Sequence, residues 1–138
     1  MNLICNMNES LLRFNKKQRY LVFDTETEGL NLVTSRPWQI AWMGVEGDTI
    51  LSRHDKFIDW PDLNVSEGAA KVTGFSHKEY EKKAESPDQV WCQFSAQLYN
   101  EDNLVIGQNL LGFDVYIINV WRKLMGMQSD YSYVNRII

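Results

Sequence analysis

The chain has 138 residues, the size of one domain. Its 44% hydrophobic and 23% charged residues exclude a disordered or low-complexity polypeptide, and it contains no apolar run of about 18 residues to cross a membrane. The formal net charge is 14 − 18 = −4, which excludes a basic sheath gripping nucleic acid by charge alone but leaves room for carboxylates that meet phosphates through cations.

Residues 1–19 read as a polar N-terminal lead-in, with one helical turn in Asn8–Arg19, and residues 20–138 as the folded domain. No charged segment followed by a long apolar stretch marks a signal peptide. Cys5 and Cys92 belong to no C-x-x-C or Cys/His cluster, which argues against zinc and for a reducing, cytoplasmic compartment. Tyr20–Phe23 is a short run of β-formers suited to a strand buried on both faces. Trp38–Val45 and Thr49–Ile58, joined by the turn Glu46-Gly47-Asp48, follow it as an antiparallel hairpin.

Two short helices come next. Ser66 caps one, which Gly74 ends, and Ser76 with Glu79 forms a capping box for the other. A longer helix begins at Ser86, with Pro87 at its first position and Gln89 completing a second box. Val90, Trp91, Phe94 and Leu98 recur along it at helical spacing. Leu104–Ile106 is a fourth strand. A last helix spans Phe113–Met125, with Ile117, Val120, Trp121 and Leu124 as its buried stripe and Gly126 as its stop. Three strands, helices, a strand and a helix make an α/β or α+β domain with a mixed sheet. The aromatic residues belong mainly to its core, and His54, His77, Lys71, Lys78, Lys82 and Lys83 to its surface.

Asp24 and Glu26 end the first strand two residues apart, so they share one side of it. At ~4 Å and an effective dielectric of about 20, two such charges repel by about 4 kcal/mol, a cost a divalent cation relieves. Solvated loop acids are the ordinary alternative. If the fourth strand lies parallel beside the first, Asp114 reaches the same end of the sheet, where open α/β sheets bind ligands. Alone, Asp114 also reads as an acid stabilising a helix N-terminus, and Asn109 as a loop amide.

These residues resemble the DEDD superfamily of 3′–5′ exonucleases, which includes polymerase proofreading domains. Val22-Phe23-Asp24-Thr25-Glu26-Thr27-Glu28-Gly29-Leu30 is similar to its first motif, and Asn109-Leu110-Leu111-Gly112-Phe113-Asp114 to its second, with the polymerase-type spacing. Arg36–Trp42 looks like the family's second strand. Ala69–Ser76 looks like its Gly-Ile-Thr segment, with Thr73 where many relatives carry His. The resemblance implies a ribonuclease-H-like α/β fold, a mixed sheet with flanking helices. It implies Asp24, Glu26 and Asp114 as catalytic ligands of two Mg²⁺ or Mn²⁺ ions. Thr25, Thr27, Leu30, Asn109 and Phe113 would contact substrate, Thr25 and Thr27 through their backbone.

The family's third motif, an Asp four residues after His or Tyr, does not follow Asp114; Tyr131 is followed at that spacing by Asn135. The expectation is therefore a C-terminally incomplete domain. Its partners would be the 3′ end of single-stranded nucleic acid, DNA in the first place, and a DNA polymerase or a downstream chain that completes it. No membrane is implied. Two other readings stay open: an interaction module needing a second polypeptide, and a scaffold that binds nucleic acid without cutting it.

Overall fold

The computed structural model describes residues 17–138. Of the expected lead-in over residues 1–19, residues 1–16, Cys5 among them, lie outside the described residues, and Arg19 already belongs to the first strand. Strands β1 (Arg19–Thr27), β2 (Pro37–Glu46) and β3 (Thr49–Phe57) form an antiparallel meander, and β4 (Asn103–Ile106) joins β1 in parallel, giving the order β3-β2-β1-β4. β1 runs beyond its apolar stretch because Ala41, Ile40 and Gln39 of β2 pair with Asp24, Thr25 and Glu26. The two acids are therefore held by a ladder rather than a loop. Parallel to β4, Ile137 bridges Val105, and Arg136 donates to the carbonyls of Leu98, Asn100 and Asn103.

Four helices follow the expected places: α1 (Glu67–Thr73), α2 (His77–Lys83), α3 (Pro87–Leu98) and α4 (Asp114–Leu124). The Ser66 hydroxyl accepts from the Ala69 N–H and that of Ser76 from Glu79, satisfying free N–H groups of the first turns. Gly74 and Gly126 follow α1 and α4 with φ +72° and +74°, left-handed stops open to glycine.

Two local readings need correction. Ser86 makes no side-chain capping bond; the entry to α3 is instead fixed through Glu85, whose backbone exchanges hydrogen bonds with Phe57 and Asp59. Leu124 is exposed, because Met125, four residues after Trp121, takes the last core-facing position of α4. The buried face of that helix consists of Asp114, Val115, Ile117, Ile118, Val120 and Trp121.

Leu21 and Phe23 of β1 and Ile40 and Trp42 of β2 are buried with Phe94 of α3 and Trp121 of α4. Phe94 meets the Phe23 ring at 5.0 Å and the Trp42 ring at 5.5 Å, both edge-on, the favoured aromatic geometry. Alternation leaves Val22, Asp24 and Glu26 more exposed than their neighbours on β1. His54 lies stacked at 4.6 Å on Trp42, and His77 is exposed beside Phe75. No helix among the described residues is long and apolar enough to cross a membrane.

Candidate active site

The parallel pairing of β1 with β4 builds the site. β4 ends with Ile106 opposite Val22, so the chain leaves the sheet at Gly107 beside Phe23. A Cβ at Gly107 would lie 2.7 Å from the Phe23 carbonyl oxygen and 2.5 Å from Leu110 Cδ2, so only glycine permits this close approach. Asn109 takes a left-handed conformation, φ 53°, and a 3-10 turn over Leu110–Gly112 buries Leu110. A Cβ at Gly112 would collide with Oδ1 of Asn109, so the two residues fit each other. The turn delivers Asp114 to the start of α4 beside Thr25.

Thr25 has a contact that its sequence neighbourhood does not announce: its buried hydroxyl donates to Oδ1 of Asp114 at 2.7 Å, joining β1 to α4 across 89 residues. Asp114 is only 2% exposed. Burial pushes its carboxyl up to about 6; the Asp24 charge adds to the rise, and the Thr25 hydroxyl opposes it. The Glu26 carboxyl is also raised, first by burial and then by the charges of Asp24 and Asp114. The three carboxylates therefore share one electrostatic neighbourhood. Among the described residues, no three Asp, Glu, His or Cys side chains converge into a ready-built metal cage.

Two grooves flank these acids. One, about 550 Å³, runs along the less covered sheet face between Val22, Asp24, Met43, Asp55 and Gln108. The other, about 420 Å³, has Thr25, Glu26 and Thr27 as its floor, Leu30 on one wall, Val72 and Thr73 of α1 on the other, and Phe113 beside them. Leu30 and Val72 are 85% and 87% exposed, so both offer apolar surface to whatever enters. The Thr27 hydroxyl donates to the Gly29 carbonyl at 2.6 Å and shapes the turn that leads to Leu30. Asn109 is exposed at the other side of the site, and Phe113 is half-buried.

Sequence reasoning missed Glu28. It continues the alternation of Asp24 and Glu26, yet it is taken up by Arg36: Nε donates to Oε1 at 2.7 Å and Nη2 to Oε2 at 3.0 Å. Burial pushes its carboxyl up, and the hydrogen bonds from Arg36 and the Asn64 N–H outweigh that and hold it below the ordinary carboxylate range. An acid and an arginine eight residues apart across a loop were the signal that could have found the pair.

The RNase T exonuclease family model matches residues 21–134. The chain is 33% identical over 108 residues to the PolC-type DNA polymerase III of Streptococcus suis, and 26% identical over 114 residues to that of Pediococcus pentosaceus. These matches cover 78% and 83% of the chain but only 7% and 8% of the two polymerases. Among solved structures, E. coli exonuclease I in complex with a 5cy-dT13 oligonucleotide superposes with a TM-score of 0.76 at 17% identity, over 88% of this chain and 28% of that one. This likeness establishes the ribonuclease-H-like fold, a mixed sheet with flanking helices.

Proposed function

Because the chain belongs to the exonuclease family whose model spans residues 21–134, we propose that it is a metal-dependent 3′–5′ exonuclease domain acting on single-stranded DNA, of the kind that proofreads for a DNA polymerase. The observation that carries this reading is the approach of Asp24, Glu26 and Asp114 at the same end of the parallel pair β1 and β4, with Asp114 hydrogen-bonded to Thr25 between the two β1 acids, beside two open grooves. The raised Glu26 and Asp114 carboxyls support it, since both respond to Asp24.

The donor set suits Mg²⁺ or Mn²⁺: all three ligands are hard carboxylate oxygens, and the mutual charge favours a divalent cation. Asp24, Glu26 and Asp114 would hold such ions, whose chemistry there would be to acidify a water and neutralise charge on the scissile phosphodiester. The residues of the chain do the rest. Thr25 fixes the orientation of Asp114. Leu30 and Phe113 present apolar surface to the terminal base, and Asn109 offers an amide to the backbone of the strand. No protein nucleophile is required. The partners in this reading are the 3′ end of single-stranded DNA and a polymerase or further chain that completes the site. A second reading, a module active only with such a chain, is favoured by the three carboxylates' failing to close into a cage among the described residues.

The test is cutting of a single-stranded DNA oligonucleotide labelled at its 5′ end, with Mg²⁺ or Mn²⁺ and with EDTA. Stepwise shortening that stops with EDTA and with Asp24→Ala supports the proposal. Cutting that survives both overturns it. Activity that appears only on adding a polymerase chain selects the second reading.

A further inference from the structure

The groove beside Glu26 has one wall that the hydrophobic core does not hold. Helix α1 carries Val72 and Thr73 into the groove, yet it buries none of its own residues. Its downstream end is anchored by Phe75 against Trp38 at 4.8 Å. Its upstream end is anchored at Glu28, whose carbonyl accepts from the N–H of Ser66, the N-cap, at 2.9 Å. The opposite wall, Gly29 and Leu30, leaves β1 directly after Glu28.

Glu28 and Arg36 join these segments. Beyond the bidentate pair, Glu28 Oε1 accepts from the Arg36 N–H at 2.9 Å and Oε2 from the Asn64 N–H at 2.8 Å. Arg36 Nη1 donates to the Pro61 carbonyl at 2.8 Å and Nη2 to the Asp62 carbonyl at 2.9 Å, while its guanidinium lies over the Trp60 ring at 6.0 Å. The Asp62 backbone is left-handed, φ 52°, a turn conformation that Asp tolerates better than most residues, and its carbonyl meets Arg36. The pair is mostly shielded, with side-chain exposures of 11% for Glu28 and 19% for Arg36, so solvent competes weakly for its bonds.

We propose that Glu28 and Arg36 are a positioning pair that sets the spacing between Leu30 and Val72, and so the fit of a nucleic-acid 3′ end in the groove beside Glu26. The inference rests on the exonuclease reading. Neither residue lines the groove or hydrogen-bonds to Asp24, Glu26 or Asp114; both act through the walls they tie together. A displaced wall of this kind costs roughly tenfold to a hundredfold in the step it positions.

The test uses Glu28→Gln, which keeps size but loses the charge and one acceptor, and Arg36→Lys, which keeps charge but loses the fork. Affinity is read with a labelled single-stranded DNA oligonucleotide bearing a free 3′ end, in Ca²⁺. Hydrogen exchange of residues 29–36 and 61–66 reads the clamp itself. Both variants are expected to remain folded by circular dichroism, to exchange faster in those two segments alone, and to bind roughly tenfold more weakly. Leu30→Ala should weaken binding in the wild type but add little in the Glu28→Gln background, since both act on one wall. A merely structural role would leave the two effects additive, which would overturn the inference. So would faster exchange with unchanged binding, or variants that unfold outright. A wild type that binds no oligonucleotide overturns the exonuclease reading, and with it the role assigned to the pair. Loss of binding in the variants alone leaves that reading intact.

Discussion

Replacing Asp114 with Asn isolates the electrostatic cost of seating a carboxylate under α4. In the folded chain Asp114 titrates at about 6, against 3.8 when unfolded, so the folded state holds the proton more tightly. Its contribution to stability is complete below the unfolded value and is lost as pH rises through the folded one. The interval corresponds to about 3 kcal/mol, withdrawn between roughly pH 4 and pH 7. Asn keeps an oxygen to accept the Thr25 hydroxyl and carries no charge to desolvate, and it also relieves Glu26, which the Asp114 charge pushes up. In EDTA near neutral pH, Asp114→Asn should therefore be more stable than the wild type by up to ~3 kcal/mol, or ~10 °C in Tm for a domain of this size. The gap should close at about pH 4, where the native carboxyl is already protonated. Thermal melts followed by circular dichroism across that range measure it. Curves of Tm against pH that run parallel for the two proteins would refute the reasoning, since they would mean that the native site does not raise this group. Added Mg²⁺ should then lift the Tm of the wild type near neutral pH and leave the variant largely unmoved.

Three further outcomes follow from other contacts. Asp24→Ala should lower oligonucleotide cutting by at least about 10²-fold while leaving the EDTA melting temperature unchanged or slightly higher, as measured by the labelled-strand assay and a melt on the same preparation. Gly107→Ala forces a Cβ against the Phe23 carbonyl and Leu110, neither free to retreat, and should cost about 1–3 kcal/mol in urea unfolding. Arg136→Ala leaves the carbonyls of Leu98, Asn100 and Asn103 without their donor and should cost about 1–3 kcal/mol in the same assay, with faster hydrogen exchange near the end of α3.

The elements were legible because each carries its own local signal. The apolar run at Tyr20–Phe23, the caps at Ser66 and Ser76, and the stops at Gly74 and Gly126 each follow from a few adjacent residues. Asp24, Glu26 and Asp114 were legible only as candidates, through motif spacing; the parallel pairing of β1 with β4 brings their segments to one end of the sheet. What was not legible depended on partners far along the chain. Nothing near Thr25 says that its hydroxyl will meet a carboxylate 89 residues later. The Ser86 cap failed for the same reason, because the sheet edge at Phe57 had already fixed the chain entering α3. Leu124 was misplaced because a helical stripe defines a face but not which residue of the last turn still faces the core, and Met125 won that position.

The two sides of the candidate site are held by different forces. Asp24 and Glu26 sit in a strand paired on both sides over its first half, and Asp114 opens a helix whose inner face is buried against aromatic rings. Shifting the backbone that carries them means repacking the close-packed core beneath β1 and α4, which resists shifts of a fraction of an ångström. The α1 wall has no such support, and its position depends on hydrogen bonds through Glu28 and Arg36 and on one aromatic contact. Substitutions in the core should therefore change stability with little change in substrate preference, whereas substitutions around Glu28, Arg36 and Asp62 should change affinity for the strand end at small cost to Tm. The proposed exonuclease reading accords with this division: it calls for fixed carboxylates on one side, and on the other it assigns the apolar wall to the proposed Glu28–Arg36 clamp, which a few residues could retune.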